Sequence, residues 1–128
     1  MRYIFHVALL ISIGLIACTG NKHEGVQQIS PDGLEELLAN ENTVLIDVRT
    51  PEEVATGYIP GATLFIDAYS DDFESRLLQL DKDKTYAVYC LRGGRSARAT
   101  DLLASQGFSS VYNVEGGIDA YTGRLIKN

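Results

Sequence analysis

The chemistry in this chain is concentrated in seven residues, Cys90-Leu91-Arg92-Gly93-Gly94-Arg95-Ser96. A thiol, a flexible backbone and positive charge stand together. The thiolate, not the thiol, is the nucleophile, so something must stabilise negative charge on sulfur. Three features of this stretch can. Gly93 and Gly94 let the backbone curl so that successive N–H groups point inward as a nest. A helix starting near Ser96 presents free N–H donors and the positive end of its dipole. Arg95 adds a full charge, and Arg92 can add another. Such surroundings take a cysteine pKa from about 8.5 into the range of roughly 3.5–7.5. The same residues also fit a structural cysteine at a strand end beside a basic surface turn, so the rest of the chain has to decide.

The chain has 128 residues and two cysteines, Cys18 and Cys90. That length suits one domain. Cys18 ends a segment of a different kind. Arg2 opens the chain, an apolar run follows from about Ile4 to Ile16, and polar residues begin after the cysteine. The run falls short of the ~20 residues of a membrane span and reads as a secretory signal. Leu15-Ile16-Ala17-Cys18 resembles the lipobox of bacterial lipoproteins, whose cysteine is lipidated and becomes the first mature residue. The expected organisation is a signal peptide over 1–17, a lipidated N-terminus and tether over 18–25, and a folded domain over 26–128. The expected location is the bacterial cell envelope, on the periplasmic or outer-membrane side, held to the membrane by lipid. A plain signal peptide cleaved nearby, with Cys18 incidental, is the simpler alternative.

With Cys18 committed to lipid, Cys90 has no partner for a disulfide, and an unpaired thiol in an exported protein is a candidate reactive group. The two histidines, His6 and His23, lie in the signal and the tether. The folded domain therefore has no Cys-His pair for hydrolysis, and no recognised zinc spacing exists. No cofactor is expected. The formal net charge is −6. Loss of residues 1–17 removes Arg2 and no acid, giving −7 from 10 basic and 17 acidic residues. An acidic surface argues against nucleic acid as a partner. Residues 85–114 run the other way, with Arg92, Arg95 and Arg98 against Asp101 alone. Local positive charge of this size fits a small anionic ligand.

The loop is positioned by alternating helix-like and strand-like segments. Ser30 reads as the N-cap of a helix starting at Pro31, with Leu34, Leu37 and Leu38 on one face. Residues 43–48, Thr-Val-Leu-Ile-Asp-Val, are apolar without alternation, as in a strand buried on both faces. Thr50, Pro51 and Glu53 form a capping box for a helix that Gly57 stops. Residues 63–66 are a strand, followed by a helix capped by Ser70 with Phe73, Leu77 and Leu80 inward. Residues 85–89 are a strand; a helix starts at Ser96 with Ala99, Leu102 and Leu103 inward and Gly107 beyond its end; residues 110–114 are the last strand. Four strand segments alternating with helices predict an α/β domain with a parallel sheet covered on both faces. Ligands in such folds sit beyond the carboxyl ends of the strands. Cys90 falls at that place, between a strand and a helix.

Three separated motifs, in order, resemble the rhodanese (sulfurtransferase) family over about residues 29–122. They are the Cys90–Ser96 loop, the stretch Leu45-Ile46-Asp47-Val48-Arg49 running on to Gly57-Tyr58-Ile59-Pro60-Gly61-Ala62, and the closing segment from Val111 to Tyr121 with its Gly116-Gly117 pair. The resemblance implies a three-layer fold on a mostly parallel five-stranded sheet. It also implies a two-step sulfur transfer. Cys90 takes the outer sulfur of a donor such as thiosulfate, polysulfide or a persulfide, then hands it to cyanide, a thiol or another protein. Arg95 and the loop residues Leu91, Arg92, Gly93, Gly94 and Ser96 would hold the thiolate and persulfide. Asp47 and Arg49 are expected as structural support through charge-assisted hydrogen bonds, Arg98 as a solvated helix residue that attracts anions, and Glu115, Gly116 and Gly117 as the pocket rim. Tyr58 stands where the family usually has histidine and Tyr121 where it usually has tryptophan. Both are read as packing positions.

Two other functions compete. Cysteine phosphatases close a loop of five residues between Cys and Arg around a tetrahedral oxyanion; here four residues separate Cys90 from Arg95. Arsenate reduction usually draws on further cysteines, which this chain lacks. A non-catalytic binding or sensing module of the same fold would usually have lost the cysteine, and Cys90 is present.

Overall fold

The computed structural model describes residues 25–128. The signal peptide, the lipidation of Cys18 and most of the tether lie outside the described residues. Ten elements follow one another: β1 (Val26–Ile29), α1 (Pro31–Leu38), β2 (Thr43–Asp47), α2 (Pro51–Ala55), β3 (Ala62–Phe65), α3 (Phe73–Leu78), β4 (Thr85–Tyr89), α4 (Gly94–Ser105), β5 (Val111–Val114) and a 3-10 turn over Gly117–Ala120. The sheet order is β1-β5-β4-β2-β3, and every pairing is parallel.

Side chains alternate across the central strands and so divide the core in two. Ile46, Tyr86 and Val88 face Leu77, Ala99, Leu103 and Phe108. Leu45, Ala87 and Tyr89 face Leu34, Ile59 and Ile118. Helices α3 and α4 thus cover one face, and α1 with the 3-10 turn covers the other. This explains the unbroken apolar runs of β2 and β4, because both directions of the alternation meet a core. The three-layer α/β fold expected from the sequence is what forms. Among the described residues no helix is long and apolar enough to cross a membrane.

The caps form as their residue types dictate. Ser30 Oγ accepts from Gly33 N at 3.3 Å. At α2 the capping box is complete: Thr50 Oγ1 accepts from Glu53 N at 3.3 Å, and Glu53 Oε1 accepts from Thr50 N at 3.2 Å. Ser70 is not a helix cap. It bonds Asp67 O and Asp72 Oδ1 inside a turn, and α3 begins only at Phe73 behind Asp72, whose side chain makes no cap bond. Two acceptors within Asp67–Asp72 keep the Ser70 hydroxyl local. The first strand, β1, has no apolar signature because Gln27 and Gln28 fill its middle. It lies at the sheet edge, where Asn113 Nδ2 donates to Gln28 Oε1 at 3.0 Å and the amides replace an apolar contact.

Candidate active site

Cys90 leaves the carboxyl end of β4, and the chain turns directly into α4. The turn needs Gly93, which caps α4 with φ of 109°, a region that other residues enter only under strain. Its N–H donates to Cys90 Sγ at 3.1 Å. Gly94 needs no such freedom; it is the first residue of α4, and a Cβ there would meet open space. The helix therefore starts two residues earlier than the sequence suggests. Ser96 falls within its first turn, where backbone N–H groups have no helical acceptor.

Ser96 is fully buried. Its Oγ lies 3.5 Å from Cys90 Sγ and 3.2 Å from Gly93 O. With a neutral thiol the hydroxyl can donate to Gly93 O and accept the S–H. With a thiolate the hydroxyl proton can turn to sulfur. Burial of Cys90 raises its pKa. The Ser96 hydroxyl, followed by the backbone N–H groups of Ser96, Gly93 and Arg92, more than offsets burial, so the pKa ends below that of a free cysteine.

A second element fixes the loop from outside. Ile118 N donates to Cys90 O at 3.0 Å and Asp119 N donates to Leu91 O at 3.1 Å. These bonds fix the carbonyls of Cys90 and Leu91. Gly117 is what lets the 3-10 turn come so close: its φ is +60°, and a Cβ on it would stand 2.5 Å from both Cys90 O and Leu91 O. The double-glycine segment is therefore a clamp on the backbone of the loop. Gly117 is buried in this contact, while Glu115 and Gly116 are exposed.

Arg95 does not reach Cys90 by a hydrogen bond. Its Nη1 and Nη2 donate to Glu53 Oε1 at 2.7 Å and Oε2 at 2.9 Å, and its guanidinium lies 5.3 Å from the centre of the Tyr69 ring. The bidentate pair raises the Arg95 pKa and holds Glu53 down to about 2. Cys90 still acts on Arg95 as a nearby charge. The convergent donors on sulfur are thus the N–H groups and the Ser96 hydroxyl, and not the guanidinium that the sequence offers for that role. Arg92 projects into solvent and pairs with Asp119 at 3.0 Å. Arg98 is exposed on α4. Leu91 is half-buried against the α1-side core.

Asp47 and Arg49 form a buried pair beneath α2. Arg49 Nη2 lies 2.8 Å from Asp47 Oδ2, and Nε donates to both carboxylate oxygens. The remaining donors reach Glu53 O at 3.2 Å and Gly57 O at 2.8 Å. Burial alone would lower the Arg49 pKa; its bonds to Asp47 and the Asp47 charge raise it. The guanidinium ties both ends of the α2 turn to β2 and so fixes Glu53. Tyr89, raised in pKa first by burial and then by Asp47, accepts from Ile59 N at 3.1 Å. Tyr58 packs edge-on against Phe65 with ring centres 5.0 Å apart, and Tyr121 packs on the α1-side core.

Sequence reasoning missed three contributors: Glu53 as the partner of Arg95, Tyr69 as its stacking surface, and Ile118–Asp119 as donors to the loop carbonyls. Glu53 was legible only as a helix cap. A groove of about 730 Å³ runs along α1, between Pro31 and Tyr121, but Cys90 does not line it. Among the described residues no three His, Cys, Asp or Glu side chains gather to hold a metal.

A nearly buried cysteine at the end of a central parallel strand, wrapped by N–H donors and clamped by a double glycine, defines a class of sulfur-handling α/β domain. Residues 30–124 match the rhodanese-like domain family, and the chain belongs to it. It is 42% identical over 99 residues to the YtwF protein of Bacillus subtilis, covering 77% of this chain and 92% of that one. It is 36% identical over 97 residues to a sulfurtransferase of Allochromatium vinosum, covering 75% and 88%. The crystal structure of a rhodanese-like domain protein from Staphylococcus aureus superposes with a TM-score of 0.68 at 35% identity, covering 80% of this chain and 98% of that one. The relatives place the chain broadly among the rhodanese-type sulfurtransferases.

Proposed function

We propose that Cys90 carries sulfane sulfur between a small donor and a thiophilic acceptor. The donor is a thiosulfate, polysulfide or persulfide; the acceptor is cyanide, a thiol or a protein cysteine. The observation that supports this most is the set of donors on Cys90 Sγ: Gly93 N at 3.1 Å and the Ser96 hydroxyl at 3.5 Å. They favour the thiolate that attacks and the persulfide anion that results. Attack on the outer sulfur forms the Sγ–S bond and breaks the donor's own bond to that sulfur; the leaving group, sulfite or a thiolate, departs with the electron pair. The acceptor repeats the step on the outer sulfur of the persulfide and restores the Cys90 thiolate. Cys90 is 1% exposed, so only the tip of a donor reaches it. Cys90 is the only cysteine among the described residues, which leaves the persulfide no neighbouring thiol with which to form a disulfide.

The test is the intact mass of the protein after donor treatment. The reading expects one added sulfur atom, released by cyanide as thiocyanate and absent in Cys90→Ser. Hydrolysis of para-nitrophenyl phosphate without sulfur loading would install the phosphatase reading instead. Absence of both would leave a binding or sensing module. We also propose that Cys18 is lipidated and anchors the domain in the cell envelope, on the pattern Leu15-Ile16-Ala17-Cys18. Equal solubility of wild type and Cys18→Ala on cell fractionation would remove that anchor.

A further inference from the structure

The loop of a sulfur carrier that accepts thiosulfate would gain from positive charge, because a thiolate and a dianion must meet. Three arginines stand in or beside this loop, yet two of them are neutralised. Arg92 is paired with Asp119 in solvent. Arg95, the arginine whose charge acts on Cys90, gives both terminal nitrogens to Glu53, with side-chain exposures of 12% and 28% for the two partners. Its face is covered by Tyr69. Glu53 is itself fixed at both ends: its carboxylate caps Thr50, and its carbonyl is held by Arg49. The pair is therefore built into the framework and not a transient surface contact.

We infer that Glu53 sets the donor class: by closing Arg95 in an ion pair it withdraws the loop guanidinium nearest Cys90 from any incoming anion and selects a hydropersulfide, R–S–SH, over the dianion thiosulfate. This deepens the sulfur-transfer reading and rests on it. The step balances without an added reagent. The Cys90 thiolate attacks the terminal sulfur of R–S–SH, the Sγ–S bond forms, the donor S–S bond breaks, and RS⁻ leaves with the electron pair. The proton stays on the transferred sulfur until the persulfide ionises to solvent. A hydropersulfide brings at most one negative charge and reacts through its neutral form, which brings none to the buried thiolate, whereas thiosulfate brings two. The backbone N–H groups and Ser96 serve the thiolate itself, so they do not relieve that repulsion. Glu53 acts here through Arg95, as a positioning residue.

The experiment uses the full chain. Rates of Cys90 loading are followed by intact mass with two donors, thiosulfate and 2-hydroxyethyl hydropersulfide, over a range of salt. Wild type should load faster from the hydropersulfide, and its thiosulfate rate should rise with added salt, as like charges are screened. Glu53→Gln keeps an oxygen to cap Thr50 but frees the Arg95 charge. The ratio of the thiosulfate rate to the hydropersulfide rate should rise by on the order of tenfold, as expected for one unit charge near a dianion. Its thiosulfate rate should then fall with salt. A ratio unchanged within about twofold would overturn the inference, as would a wild type that loads faster from thiosulfate with a rate that falls with salt. The wild-type salt dependence decides the matter even if the variant fails to fold. Loading from neither donor would overturn the sulfur-transfer reading together with this one, whereas loading from both at an unaltered ratio removes this one alone.

Discussion

Replacing Ser96 by alanine removes one donor from Cys90 Sγ and leaves the loop backbone in place, since Gly93 O keeps the bond from Ala97 N at 3.0 Å. Among the groups that lower the Cys90 pKa, the Ser96 side chain comes first. A hydrogen bond to a charged group contributes about 1.5–3 kcal/mol. At 3.5 Å to sulfur the lower end applies, or about one pKa unit. Alkylation of Cys90 by iodoacetamide, read on the Cys90 peptide by mass spectrometry against pH, should show the midpoint rise by about one unit in Ser96→Ala. Below both midpoints the thiolate fraction falls about tenfold, but a more basic thiolate is about threefold more nucleophilic, so the rate drops only about threefold. Above both midpoints the variant should be the faster, again by about threefold. The two pH–rate curves must cross. Curves that stay parallel, or an Arg95→Met shift larger than that of Ser96→Ala, would refute the assignment of thiolate stabilisation to the loop donors.

Gly93 and Gly94 should part company under mutation. Gly94→Ala meets open space at an ordinary φ and should raise stability by about 0.4–1 kcal/mol in urea denaturation, whereas Gly93→Ala, at φ of 109°, should cost about 1–2 kcal/mol and raise the Cys90 alkylation midpoint. Gly117→Ala drives a methyl group to 2.5 Å from Cys90 O; it should abolish sulfur loading, and hydrogen exchange at Ile118 N and Asp119 N should accelerate as the clamp opens. The Glu53 carboxyl is depressed from 4.5 to about 2 in the folded state. Its contribution is therefore complete above pH 4.5 and lost as pH falls towards 2. Discounted for partial exposure it is about 1–2 kcal/mol, so the acid limb of a stability–pH curve should be shallower in Glu53→Gln than in wild type.

What could be read in advance divides by range along the chain. The N-caps, the two-sided apolar strands and the strand–loop–helix position of Cys90 depend on residues within a few positions of one another. Residue type alone then fixes the outcome. Thr50 with Glu53 is such a case, and the cap forms as read. Failures arise where a polar residue has several local partners or a remote one. Ser70 has acceptors on either side and takes those instead of a helix terminus. Strand β1 hides because its Gln28 is satisfied by Asn113, 85 residues away.

The site shows the same division with more at stake. The nest of N–H groups is encoded in consecutive residues and was legible, although residue type credits the curl to Gly93 and Gly94 alike and only Gly93 takes a positive φ. The state of Arg95 was not. Its guanidinium is paired 42 positions back in the sequence, with a residue already explained by its cap. A carboxylate with two oxygens can serve both partners, because Thr50 and Arg95 approach it from different elements. One-dimensional reading assigns each side chain one role and stops there. Yet the second role changes the electrostatics most: it turns an arginine that looks like an anion hook into half of a closed pair. A loop rich in arginine is thus not evidence of a dianionic donor until the carboxylates that face it across the fold have been found.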